Sequence, residues 1–363
     1  MDCSLYKFYP TFMERLWGGK KMRDYLPHIP LPEGAIGEAW LIADHPICES
    51  VVSEGPNAGV SLRQLMEKHQ AALLGDRVVP TQTGRFPLLL KLIDAGDILS
   101  VQVHPDDAQA ARLGEADQGK TEMWHVLEAD PGSVLTSGLE ADVTPEGFEK
   151  ALHTGNVAPL MRSFPVSWGD AVFVPAGAIH AIGGGILLAE IQQNSDITYR
   201  LFDWNRVDAN GAPRELHIEK ALGVMDFAAT HGGRAAPLRY TENNVLRETL
   251  AACRYFAAER VQIQGRGLFD TRGASFHIAL ALDAPLSVNS GNWSCSVRRG
   301  EAVLIPGEAG PWQVSGQGMF LDYFVPDLEA DIVAPLRRHG YADAQIAMLA
   351  GLSDRNDLRA ILA

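Results

Sequence analysis

The chain has 363 residues, 46% of them hydrophobic, and a formal net charge of −14 from 31 basic and 45 acidic side chains. That length supports two separately packed cores, and an acidic field with no opposing Lys/Arg stripe excludes nucleic acid as a partner. A small anionic ligand must then meet a local basic pocket.

From Tyr6 to about Ser53, short apolar runs broken by Gly-Gly and Pro predict irregular structure and strands. Leu62, Leu65, Met66 and Leu73 recur at near-helical spacing behind Ser61, which predicts a helix over 59–74 with Ser61 as its N-cap. Strands are predicted over 87–93, 98–104, 121–128, 171–174 and 186–193, separated by helix-capable segments near 106–116 and 145–163. The latter opens on Thr144-Pro145-Glu146, an N-cap followed by an N1 proline. A second strand-rich block covers about 255–324, with a boundary near 230–245. Beyond Pro326 two short helices are predicted over 342–350 and 354–362, the first ended by Gly351 and the second capped by Ser353. Gly169-Asp170-Ala171-Val172-Phe173-Val174-Pro175 is echoed by Gly300-Glu301-Ala302-Val303-Leu304-Ile305-Pro306, an internal repeat that supports two domains. Cys3, Cys48, Cys253 and Cys295 form no Cys-x-x-Cys pair, which fits free thiols in a reducing compartment. Met1 to Pro10 has no basic region leading into an apolar one, and no run of about 18 apolar residues occurs, so the expectation is a soluble cytoplasmic protein.

Three segments carry chemistry. Gln102 and His104 are two apart on a predicted strand, so they share a face with Cα atoms about 7 Å apart. In GKTEMWHVLE, Lys120 and Glu122 also share a face, as a surface ion pair or as a carboxylate ligand beside an ammonium. His125 falls on the opposite face. Gly169 to His180 spells G-x5-P-x-G-x2-H, which resembles the second conserved motif of the cupin superfamily, although Gly184 stands where many cupins have Asn. Two imidazoles, one carboxylate and one amide oxygen make a mixed N/O ligand set without thiolate, which suits zinc and also fits manganese, iron or cobalt. His217, Trp17, Trp40 and Trp124 are read as structural residues.

LLLKLIDAGDILSVQVHPDD, GKTEMWHVLEADPG, PAGAIHAIGGGILLAEIQQNSDITYRLFDW and RELHIEKAL, with Trp17-Gly18-Gly19 and GEAWLIADHP, resemble the type I phosphomannose isomerases, especially their short bacterial form. The resemblance runs from about residue 5 to about residue 325. It implies a mainly β fold of two cupin (jelly-roll) barrels with helical insertions and a short helical tail. The expected division is a catalytic domain over 1–235, a second barrel lacking the metal histidine over 236–326, and a tail over 327–363. It further implies interconversion of mannose 6-phosphate and fructose 6-phosphate through a cis-enediol, with one zinc per chain. The implied metal ligands are Gln102, His104, Glu122 and His180, and the implied substrate contacts are Lys91, Ser100, Lys120 and Arg200. Glu190 is the implied base, with Lys120 and Arg200 also catalytic. A metal-bound hydroxide or a lysine stays open as an alternative base. Other readings are a non-catalytic cupin sugar sensor, a metal-dependent oxygenase, or an isomerase of a different aldose. Apart from a sugar phosphate, no nucleic-acid or membrane partner is expected, and the chain is read as a monomer or weak homo-oligomer.

Overall fold

Antiparallel pairing sorts the strands of the computed structural model, which describes residues 5–207, 210–228, 233–351 and 356–363, into three large sheets and one two-stranded ribbon. A seven-stranded sheet runs in the order Gly233–Arg234, Ala171–Val174, Glu122–Ala129, Ile186–Gln193, Leu88–Ala95, Thr11–Gly19, Ile36–Ile42. A five-stranded sheet follows the order Met161–Pro165, Val134–Leu139, His180–Ile182, Val101–Val103, Tyr199–Phe202. Ile93, Trp124, Val126 and Leu188 of the first pack with Leu135 and Ile182 of the second in one core, as the walls of a jelly-roll barrel must.

The other face of the seven-stranded sheet is also covered. Leu88, Leu90, Leu92, Met123, Ala189 and Ile191 join Ile278, Leu280, Leu304 and Leu321 of the third, nine-stranded sheet in the largest core. Strands buried on both faces need apolar residues at nearly every position, and all eight residues of Leu88–Ala95 and of Ile186–Gln193 are buried. At roughly 1.5–3 kcal/mol for each fully buried Leu or Ile, this shared sheet is a main source of cohesion. The nine-stranded sheet collects Leu238–Glu242, Val245–Ala252, Ala257–Asp270, His277–Ala281 and the later strands, and it also takes in Tyr6–Lys7, paired to Ala302–Ile305. The two copies of the repeat are structurally alike: Gly169 (φ 86°) and Gly300 (φ 77°) each turn the chain into a four-residue buried strand.

The helix Leu62–Leu74 starts at Ser61, which forms a reciprocal capping box with Gln64. Asp107–Arg112 and Pro145–Thr154 are the helices of the two connecting segments, the latter capped by Thr144, and the end of the 145–163 segment forms the strand Met161–Pro165 instead. In the tail Asp343–Ala347 is helical, and the chain turns on to Ala350 before Gly351. The last helix, Asp357–Leu362, is capped by Asn356, and Ser353 lies outside the described residues. An unforeseen helical stretch, Leu328–Val333 continuing as Ala334–Arg338, precedes them, with Pro335 in a first-turn position that needs no N–H. Ile332, Val333, Leu336, Ile346, Leu349 and Leu358 pack on Leu238, Tyr240, Ala252 and Phe324. Among the described residues no helix is long and apolar enough to cross a membrane.

Candidate active site

Strand register assembles the site. Trp40 lies opposite Lys91, Lys91 opposite Glu190, and Glu190 opposite Trp124 in the seven-stranded sheet. Residues paired across an antiparallel ladder share a face, so four strands deliver one row into the barrel, with Glu122 two positions before Trp124 on the same side. In the five-stranded sheet Ser137 lies opposite His180, His180 opposite Gln102, and Gln102 opposite Arg200. Only Val101–Val103 of the expected 98–104 strand pairs regularly, yet the alternation holds: Val101 and Val103 enter a core while Ser100 and Gln102 face a cavity.

His104, Glu122 and His180 offer ligand atoms that all lie within 4.8 Å of one another, and none of the three is more than 1% exposed. Nδ1 of His104 donates to the Ile197 carbonyl at 2.7 Å and Nδ1 of His180 to the Ala178 carbonyl at 2.8 Å. Those bonds fix the tautomer that leaves each Nε2 lone pair free. Both Nε2 atoms and both Glu122 carboxylate oxygens are buried without a hydrogen bond of good geometry. Lys120 Nζ closely approaches Glu122 Oε1 as an ion pair, and the His104 and His180 Nε2 atoms stand 3.3 Å and 3.8 Å from the Glu122 oxygens. Burial, then the Lys120 charge, pushes His104 down to about 3. Burial also lowers His180. Burial opposes ionisation of Glu122, but the Lys120 charge, with the adjacent His104 imidazole, outweighs it and holds the carboxyl well below its usual range. Two neutral imidazoles with free Nε2 lone pairs, converging with an ionised carboxylate, can hold a divalent metal. Gly177 helps close this arrangement: at φ 83° it donates its N–H to the His104 carbonyl at 2.8 Å, tying the motif hairpin to the other histidine's segment.

Beside this group lies a cavity of about 350 Å³ lined by Lys91, Ser100, Gln102, Lys120, Glu190 and Arg200, together with Arg15, Trp17, Glu38, Asp196, Thr198 and Arg214. Five cationic side chains face three carboxylates there. This is the local basic pocket that the global charge made necessary for an anionic ligand. Lys91 Nζ sits 4.4 Å over the Trp40 ring and 4.0 Å from both Glu190 Oε1 and Asp196 Oδ1. Arg200 donates to Ser100 Oγ at 3.3 Å and to the Glu215 carbonyl at 2.9 Å, so among the described residues no carboxylate is within salt-bridge reach of its charge. Neighbouring Arg214 is instead committed to Asp203. Glu190 accepts from Trp124 Nε1 at 2.9 Å, and burial followed by the Glu122 charge pushes its carboxyl up to about 7. Burial works against the charge of Lys120, but Glu122 and Glu190 outweigh it and raise its pKa.

Several neighbours escaped the sequence reading. Glu38, held by Arg15 at 3.1 Å and by Trp40 Nε1 at 2.7 Å, lines the cavity. Its solitary charge in GEAWLI was the available signal, since a lone acid in an apolar strand needs a partner. Trp40 and Trp124 are fully buried, as packing predicts, but each also contacts a cavity-lining residue. His125 turns away to Arg260, and His217 braces the Arg200 backbone by exchanging two bonds of 2.7 Å and 3.2 Å with it.

Fold and site together define a cupin-barrel protein in which two histidines and one carboxylate are placed so that they could hold a metal ion, next to a cation-rich cavity. A family model, "Phosphomannose isomerase type I, catalytic domain", matches residues 5–123. "Mannose-6-phosphate isomerase ManA" of Bacillus subtilis is 34% identical over 85% of this chain and 95% of its own length. "Mannose-6-phosphate isomerase" of Streptococcus mutans is likewise 34% identical over 85% of this chain and 95% of itself. The solved mannose 6-phosphate isomerase structure from Bacillus subtilis matches with a TM-score of 0.80 at 30% identity, covering 88% of this chain and 99% of that one. The chain belongs to the type I phosphomannose isomerase family.

Proposed function

We propose that this chain interconverts mannose 6-phosphate and fructose 6-phosphate, with one zinc ion held by His104, Glu122 and His180 and Gln102 as a further donor. The observation that carries the reading is the convergence of a buried imidazole–carboxylate–imidazole group with a cavity where Glu190 stands among Lys91, Lys120 and Arg200. Bound there, a divalent cation supplies Lewis-acid polarisation of the sugar oxygens around C1 and C2.

The remaining steps fall to side chains. Glu190 takes the proton from C2 of the open-chain aldose and returns it to C1, passing through a cis-enediol as the O2 hydroxyl proton moves to O1. A carboxyl pushed up to about 7 is matched to this task near neutrality. Trp124 holds Oε2 at 2.9 Å, which leaves Oε1 to meet the substrate. The raised pKa of Lys120 keeps it protonated, so it contributes positive charge to the developing oxyanion and is unsuited to act as the base. Arg200, whose bonds go to neutral acceptors, offers its guanidinium to the phosphate with Lys91 and Ser100.

We read 1–235 as the catalytic unit, 236–326 as a second barrel and 327–363 as its cover, in a cytoplasmic monomer or weak homo-oligomer. A coupled assay for fructose 6-phosphate tests the proposal, run before chelation, after it, and with zinc returned. Turnover that chelation abolishes and zinc restores is the expected result. A folded, zinc-loaded sample that forms no fructose 6-phosphate overturns the substrate assignment.

A further inference from the structure

The interior of the second barrel carries a polar row of its own. Tyr240 lies opposite Arg247, Arg247 opposite Val261, Glu259 opposite Asp322, and Ala279 opposite Asp322. Val261 and Ala279 belong to that barrel's apolar core. Glu259, two positions from Val261, and His277, two from Ala279, therefore share the same inward face. Arg247 donates to Glu259 Oε2 at 2.6 Å, Tyr240 Oη to Glu259 Oε1 at 2.9 Å, and His277 Nδ1 to Asp322 Oδ1 at 2.8 Å.

Tyr240, Arg247, Glu259, Phe269 and His277 line a cavity of about 470 Å³, within the size range of small-molecule sites. Behind this lining, on residues that do not themselves line the cavity, two buried polar atoms lack a hydrogen bond, the acceptor Asp322 Oδ2 and the donor Trp312 Nε1. The Trp312 ring stacks on Phe269 with centroids 4.6 Å apart and lies 5.5 Å from the His277 ring. The lining itself mixes donors and acceptors, with Tyr240, Arg247 and His277 beside Glu259, a combination complementary to hydroxyl groups, which both donate and accept. The charges point the same way. Four arginines and four carboxylates line the cavity, and Arg77, Arg247, Arg272 and Arg338 each pair with an acid, so no uncompensated cation attracts a phosphate.

We propose that the second barrel holds a separate binding site for a neutral polyhydroxylated small molecule, an unphosphorylated monosaccharide, recognised by the Arg247–Glu259 pair together with Tyr240 and His277. The tail closes one wall of it through Ala330, Asp331 and Pro335.

Titration of D-mannose into the intact, metal-loaded protein, followed by calorimetry and saturation-transfer NMR, tests the proposal. Ala330→Trp adds bulk at an exposed position of the rim and plugs the cavity, while His277→Leu removes an inner polar contact. The expected result is saturable binding that weakens about tenfold or more in both variants, with turnover of mannose 6-phosphate unchanged. Absence of saturable binding to the native chain overturns the site, as does binding undiminished in both variants, which places the sugar elsewhere. Inorganic phosphate binding there in preference to mannose overturns the ligand class. If His277→Leu loses its circular dichroism spectrum, Ala330→Trp alone decides. The readout is binding, so its failure is distinct from failure of the proposed isomerase activity.

Discussion

Replacing Glu190 by Gln removes a charge and keeps the shape, including an oxygen that can accept from Trp124. Turnover is expected to fall about 10²- to 10⁴-fold, with metal content and melting temperature near those of the native chain; substantial retained activity excludes Glu190 as the base. The carboxylate must be ionised to accept a proton, and its carboxyl is pushed up to about 7, so kcat/KM should rise as pH increases through about 7 and level off above it. The Trp124 bond lowers that value, which means Trp124→Phe should move the rising limb to higher pH. A pH–rate profile in which Trp124→Phe leaves the limb in place assigns the titration to another group. Lys91 and Glu190 were legible through the family resemblance of their segments; each is also a single charge in an apolar run, LLLKLI and LLAEIQ, where an unpaired ion would be too costly to bury. Asp196 and Arg214 were not, because they lie outside the regular strands and obey no period.

Between strands, a hydrogen-bonded strut holds the Lys120–Glu122 segment in place. Tyr255, next to the strand Ala257–Asp270, donates to Asp107 Oδ2 at 2.6 Å. Asp107 Oδ1 accepts from Gly119 N and Gln193 Nε2, both at 3.0 Å, and Gln193 Oε1 accepts from Thr121 N at 3.0 Å. Thr121 sits between a cavity lysine and a metal-ligand candidate. Tyr255→Phe should therefore cost about 1 kcal/mol of stability and speed the loss of metal to a chelator; unchanged chelation kinetics would confine Tyr255 to packing. Helices with strong caps, at Ser61 and Thr144, were readable from sequence because the cap chemistry is local. The Leu328–Arg338 stretch was hidden by Pro335, a breaker in mid-helix that is harmless in a first turn. Strands covered on both sides were visible only as apolar runs, so their partners could not be inferred from alternation.

Over the whole molecule, the tail contributes a core and is more than an appendage. Ile332 is 1% exposed, and Ile332→Ala is expected to destabilise the protein by about 2–5 kcal/mol in denaturant titration. Truncation at Pro326 should uncover Leu238, Tyr240 and Phe324 and lower the melting temperature, while unchanged melting would argue against a covering role. The repeat was legible as two alike buried strands, but the exchange of Tyr6–Lys7 into the far sheet left no trace in sequence, since two residues carry no pattern. That exchange sets an order of assembly. Tyr6 pairs with Leu304 and Lys7 with Val303, and Lys7 Nζ bonds Glu301 at 3.0 Å, so this strand finds its partner only after every residue up to the strand Ala302–Ile305 has been made. Until then the outer apolar face of the seven-stranded sheet is covered by Leu62, Leu65 and Leu73 of the early helix but lacks Ile278, Leu280, Leu304 and Leu321, which leaves a nascent chain an aggregation-prone surface where its later strands will join.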